Sequence, residues 1–286
     1  MPWQSRHDDS VELDALHQGV PAWMERPLLL WAREVTNATY RNQLFETRQQ
    51  PNVELLQEYE TARRARVSHI IPFRDEGIAA LYVALGKEGF LDFVDFLVYK
   101  LGASGQSGAA KLAALELVLS DAGSEWKVGR RRDFASLERR VPGGVSDAIE
   151  AIIEAPGHAG TLLAEAWNAA FGRAPDYEKA YSKAVKAVEA AAIPVVSPAH
   201  VAATLGTVIA QMRDQGNWKL QMSREHATYS TDQVVLGVMQ ALWTGQNDRH
   251  AGQPGYTPST QADAEAGVIL AVPLVQWFSS GAIARR

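Results

Sequence analysis

Apolar residues recur along this chain mostly three and four positions apart, the spacing that lines one face of an α-helix. Alanine is abundant and β-branched runs are scarce, so the pattern predicts a mainly α protein. In the N-terminal region it predicts amphipathic helices over 27–37 and 52–67. The second keeps Leu55, Leu56, Tyr59, Ala62 and Val67 apolar among Glu and Arg. Helices over 76–86 and 90–101 follow, then a flexible glycine-rich turn at 102–108 and a helix over 109–119. The period then changes. Residues 125–129 and 135–141 read as extended and flank Arg130-Arg131-Arg132-Asp133, which predicts a short β-hairpin. Pro142-Gly143-Gly144 closes it, and helices over 146–154 and 160–171 come next.

Gly172-Arg173-Ala174-Pro175 punctuates the chain, and helical periodicity restarts at once. The expected division is therefore an N-terminal helical region, 1–172, carrying the hairpin, and a second domain, 173–286. Asp176 has the side chain of an N-cap. After it Tyr177, Tyr181, Ala184, Val185, Val188 and Ala192 share one face and end before Pro194, with Glu189 on the flank of the stripe. A second helix is expected over 201–212, then a long polar connection over 214–229. Ser230 or Thr231 caps a third helix, Gly245 ends it, and a fourth runs over 259–280. Four helices with one long polar loop fit a four-helix bundle.

Composition narrows the class. A 286-residue chain with 47% hydrophobic and 21% charged residues is that of a folded globular protein. The absence of cysteine excludes disulfides, thiolate nucleophiles and cysteine-bearing metal sites. The N-terminus lacks the order of a secretory signal. The longest apolar run, 267–278, falls short of the roughly 20 residues that span a bilayer, so a cytoplasmic protein without membrane association is expected. The net charge of −5 is uneven: from Phe171 onward ten Lys/Arg face nine Asp/Glu, a balance of +1, leaving −6 before it. Nucleic-acid contact would then be local.

The densest chemistry is Gln246-Asn247-Asp248-Arg249-His250-Ala251-Gly252, between the third and fourth helices of the C-terminal domain. Histidine exchanges a proton near neutral pH, and arginine holds a developing phosphate charge. His250 fits an acid or base of metal-independent RNA cleavage and Arg249 a charge stabiliser, with Asn247 and Asp248 to orient them. The plainer reading is a loop salt bridge between Asp248 and Arg249, with His250 at a helix end. Glu189 fits either a brace for Arg249 or a solvated flank charge. Lys127, Arg130, Arg131, Arg132, Arg139 and Arg140 form the densest basic cluster. Beside Trp126 they fit an RNA clamp with a stacked base, or simply a solvated turn. Scattered histidines without a short paired spacing predict no metal, and nothing in the chain calls for a cofactor.

The C-terminal third resembles the C-terminal domain of abortive-infection proteins, a branch of the HEPN superfamily of four-helix domains. The resemblance covers about residues 176–283. It rests on Tyr181-Ser-Lys-Ala-Val-Lys-Ala-Val-Glu-Ala190, Thr204-Leu-Gly-Thr-Val-Ile209, Arg249-His-Ala-Gly252 and Ala271-Val-Pro-Leu-Val-Gln-Trp-Phe278. It implies a HEPN-like bundle, a toxin acting in phage–host conflict, and a metal-independent endoribonuclease. It also implies pairing of two copies, so that two motifs share one cleft. One departure stands out. Active members place their arginine about a helical turn or more ahead of the histidine, where this chain has Trp243, Thr244 or Gly245. The alternative is a non-catalytic relative that binds RNA or protein through the same bundle.

Overall fold

The computed structural model describes residues 16–41, 47–67, 77–131, 134–141, 149–153, 157–200, 202–246 and 256–285. The protein is mainly helical, with two small antiparallel hairpins, and its chain divides into two compact units, 1–140 and 141–286. The expected boundary at Gly172–Pro175 therefore falls inside the second unit. The helix before it buries Leu163, Ala166, Trp167, Ala170 and Phe171 in that unit's core.

The first unit contains α1 (Ala22–Thr36), β1 (Asn37–Arg41), β2 (Thr47–Pro51), α2 (Val53–Arg63), α3 (Gly77–Gly102), α4 (Gly105–Asp121), β3 (Trp126–Arg131) and β4 (Phe134–Arg139). α1 begins five residues before Pro27, where the pattern placed its start. Proline removes one backbone donor, and Met24 and Leu28, both fully buried, hold the turns on either side of it. Trp23 adds a tie by donating its Nε1–H to the Ala122 carbonyl, 3.1 Å away. The two helices expected over 76–101 form within the α3 span and are separated at Gly86, whose φ of 68° and ψ of 175° leave the helical region. Leu81, Phe90, Phe93, Leu97, Leu115 and Leu119 fill the core.

The expected hairpin forms as β3–β4, in the register Val128↔Leu137 and Gly129↔Ser136. Carboxylates from two helices pin its edges. Glu116 of α4 accepts the Val128 N–H at 2.7 Å, and Asp95 of α3 accepts the Leu137 N–H at 2.6 Å. Strand edges left with unpaired backbone groups invite stray pairing, and these two bonds close them. β1–β2 is a second hairpin, with Asn37 opposite Pro51.

The second unit opens with a helical turn at 149–153 and continues through α5 (His158–Phe171), α6 (Tyr177–Val196), α7 (Leu205–Gln215), β5 (Trp218–Leu220), α8 (Thr231–Thr244), α9 (Gln261–Ser279) and β6 (Ile283–Arg285). α6 is the hub, packed by α5, α7 and α9, while α8 lies against α7 and α9. Asp176 caps α6 as expected, accepting the Lys179 N–H at 3.0 Å. The helix runs past Pro194 to Val196, because only one ladder bond is lost there and Val196 is buried. Inside the polar connection, β5 pairs antiparallel with β6 at the end of the chain. Trp218 donates to Gln215 at 2.7 Å and lies under the Arg285 guanidinium.

The glycine-rich stretch after α3 is not the loose turn its composition predicts. α4 starts at Gly105, and a Cβ on Gly108 would lie 2.1 Å from the Leu101 carbonyl oxygen. Gly108 is where the first turn of α4 crosses the last turn of α3. Gly108→Ala is expected to destabilise the first unit by about 3 kcal/mol through overpacking. Gly105→Ala meets open space and is strained only by its φ of 63°, an expected cost of about 1 kcal/mol. Urea denaturation of the two variants side by side checks the order.

Candidate functional site

The polar segment singled out by its chemistry leaves α8 at Gly245 and re-enters helix at α9. Both ends are held. At the first, the Tyr181 hydroxyl of α6 donates to the Leu242 carbonyl at 3.0 Å in a buried setting. A helix end leaves its last carbonyls without intrahelical partners, and Tyr181 satisfies one of them. Glycines make room for the ring. A Cβ would stand 2.3 Å from the tyrosine oxygen at Gly245 and 2.8 Å from its Cε2 at Gly267. Tyr181 thus joins α6, α8 and α9 at one point.

Gln246 follows at once and is only 7% exposed. Its Oε1 is buried without a hydrogen-bond partner among the described residues. At the far end Ser259 is buried and Thr260 caps α9 in a reciprocal box with Asp263. The Thr260 hydroxyl and then its backbone N–H hold the Asp263 carboxyl below the usual aspartate range. Tyr177 donates to Gln261 at 3.3 Å, tying the start of α9 to the start of α6.

Asn247, Asp248, Arg249 and His250 lie outside the described residues. Glu189 is described. Its carboxylate accepts the Leu205 N–H at 2.7 Å, at the first residue of α7. This is a helix N-terminus, where negative charge is favoured. Of its two readings, a solvated flank charge and a brace for Arg249, the first leaves out this bond to the backbone, and the second involves a residue outside the described ones. The same first turn of α7 touches α8, since a Cβ on Gly206 would lie 2.7 Å from the Trp243 ring. Glu189, Leu205 and Trp243 form a second joint beside the one at Tyr181.

In the first unit the basic cluster is largely engaged. Lys127 pairs with Glu138 at 3.2 Å, their side chains 17% and 3% exposed. Arg140 pairs with Glu116 at 2.7 Å and donates through Nε to the Ser124 carbonyl. Arg130 and Arg139 also have partners within the structure. Arg131 ends β3, and Arg132 lies outside the described residues. Trp126 is 7% exposed and packs in the core. Of the two readings of this cluster, an RNA clamp with a stacked base and a solvated turn, the stacked base does not fit a Trp126 packed in the core, and the Lys127–Glu138 pair is too enclosed for a solvated turn.

Tyr181 was visible in the sequence only as one apolar position in a stripe. The glycines at 245 and 267, spaced to admit a ring, were the signal that it does more. Among the described residues no three His, Asp or Glu gather as a metal site, and no helix is long and apolar enough to cross a membrane. Comparison with protein-family models, curated proteins and solved structures yields no match.

Two outcomes follow for this frame. Tyr181→Phe removes the bond to a buried carbonyl and is expected to lower stability by about 1–3 kcal/mol, read as a fall in Tm. Thr260→Ala is expected to cost about 1 kcal/mol through loss of the cap. Because the Asp263 carboxyl is lowered in the fold, its contribution is complete above the ordinary aspartate pKa of about 3.9. It fades as the pH falls through the lowered value. The difference between wild type and Thr260→Ala should therefore shrink below about pH 4 in acid-unfolding curves.

Proposed function

We propose that this chain acts on RNA as an abortive-infection-type toxin, a metal-independent endoribonuclease of HEPN-like architecture working in the cytoplasm. The observation that carries the reading is the anchoring of both ends of the 247–255 segment. Tyr181 fixes the exit from α8, and the Thr260–Asp263 box fixes the entry to α9. Catalytic groups must be held in place to act, and the described residues on either side of this segment are themselves fixed in the fold.

In this reading a base takes the proton of the 2′-hydroxyl, the 2′-oxygen attacks phosphorus, and an acid protonates the departing 5′-oxygen. His250 serves as one of the pair, and a second copy of the chain supplies the other. Arg249 stabilises the charge on the phosphorane, while Asn247 and Asp248 orient the two side chains. Glu189 acts through the α7 end that it caps.

A second reading, a non-catalytic protein that binds RNA or another protein, draws on a separate observation. Lys127 and Arg140 are neutralised by Glu138 and Glu116, so the hairpin offers less positive charge to RNA than its composition promises, which within this reading favours a protein partner.

Expression in a bacterial host separates the two. The nuclease reading expects growth arrest with fragmented RNA, unaffected in vitro by chelator. His250→Ala and Arg249→Ala should each lower cleavage by about 10²–10⁴-fold, the usual size of an acid–base contribution. Growth arrest with intact total RNA would leave the binding reading in its place.

A further inference from the structure

We infer that a groove between α1 and the start of α3 is a docking site for an acidic amphipathic helix of a partner protein. The groove is concave, about 300 Å³ in volume, and Leu29, Leu30 and Ile78 form its apolar floor. Leu30 is 47% exposed there, a large aliphatic side chain left in water. Arg26 and Arg33 stand along the same wall. Neither guanidinium has a hydrogen-bond or ion-pair partner among the described residues.

Their neighbours differ in this respect. Glu25, the carboxylate at the groove's edge, is paired with Lys87 at 3.1 Å, and that lysine holds its carboxyl below the usual range. Lys87 donates as well to the Val20 carbonyl at 2.8 Å. The Tyr82 hydroxyl beside them is pushed up to about 12, by burial first and then by Glu25. Among the described residues that line the groove, Glu25 is paired with Lys87, and the two arginines are the charges left without a partner.

Spacing selects the occupant. Arg26 and Arg33 are seven residues apart, roughly 10 Å along the helix axis. Two carboxylates seven residues apart on a docked helix match that separation and fall on one face. Leucines three and four residues from the first carboxylate then meet Leu29, Leu30 and Ile78, the usual anchor pattern of a helix in a groove. Each acid–arginine contact can be bidentate, which lysine would not offer. The floor is aliphatic and lacks the aromatic rings on which bases stack, so single-stranded RNA is the poorer fit. This inference is independent of the nuclease reading, since it involves a different unit and different residues.

The test uses the full chain and a labelled synthetic helix about five turns long, built from Ala, Leu and Glu with the glutamates seven apart. A twin carries Lys at the glutamate positions. Fluorescence anisotropy should give binding of the Glu peptide in the micromolar range, at least about tenfold tighter than its twin. The double variant Arg26→Glu/Arg33→Glu should reverse that preference. Both arginines are exposed, so the fold should survive the change, and circular dichroism and Tm verify it. Leu30→Glu should weaken the Glu peptide without creating a preference for the twin. Equal binding of the two peptides, no binding of either, or an unchanged affinity in the double variant overturns the inference. So does displacement by simple dicarboxylates as effective as by the peptide, or tighter binding of a single-stranded RNA lost in the same variant.

Discussion

The second unit depends on one buried hydroxyl. Tyr181 is 4% exposed and gives its proton to the Leu242 carbonyl near the end of α8. In the interior such a bond is worth little when made and much when missing, because the abandoned carbonyl cannot turn to water. The surrounding sequence is arranged around it. Gly245 and Gly267 lack the side chains that would strike the ring, and Asp176 caps the helix that carries it. Together they set where α8 ends against α6 and α9. The chemically rich segment after Gln246 therefore begins beside a residue that joins three helices.

The same economy of polar groups explains why side chains with catalytic potential are mostly engaged elsewhere. Glu189, Asp95, Glu116 and Glu60 all accept backbone N–H groups, from Leu205, Leu137, Val128 and Val67. Each sits where a helix start, a strand edge or a turn leaves a donor that the ladder does not use. Buried donors of this kind need partners, and a carboxylate makes a stronger bond to them than a neutral acceptor. A carboxylate near an arginine in sequence is thus as apt to serve the backbone as a substrate.

Much of the fold was legible because it rests on local pattern. The helices follow from apolar spacing, Asp176 from its side chain, and β3–β4 from the switch of period around the arginines. What escaped depends on distant partners. β1–β2 has no apolar alternation in Asn37–Arg41 or Thr47–Pro51 to announce it. β5 finds β6 only because α8 and α9 bring the chain back to it. Gly108 read as flexible because a glycine forced by close approach and one that gives a turn its freedom look alike in sequence. Pro27 and Pro194 read as helix boundaries, yet burial on both sides outweighed one lost bond. At the candidate site, residue identities pointed to 246–252, while the tyrosine that fixes its entry was hidden among core positions.

Charge gave the least reliable guide, and the reason is instructive. The cluster from Lys127 to Arg140 is the densest in the chain, and density drew attention to it. Dense charge can fold only if it is compensated, so Glu116 and Glu138 lie against it. Arg26 and Arg33 are sparse, and one could pass over them as ordinary surface residues. Sparse charge needs no compensation to fold, and neither has a partner among the described residues. Surface pairs contribute little to stability in any case, which leaves their placement beside an apolar groove without a structural purpose in the isolated unit. Available charge, more than total charge, marks where a partner gains by binding, and by that measure α1 outranks the hairpin.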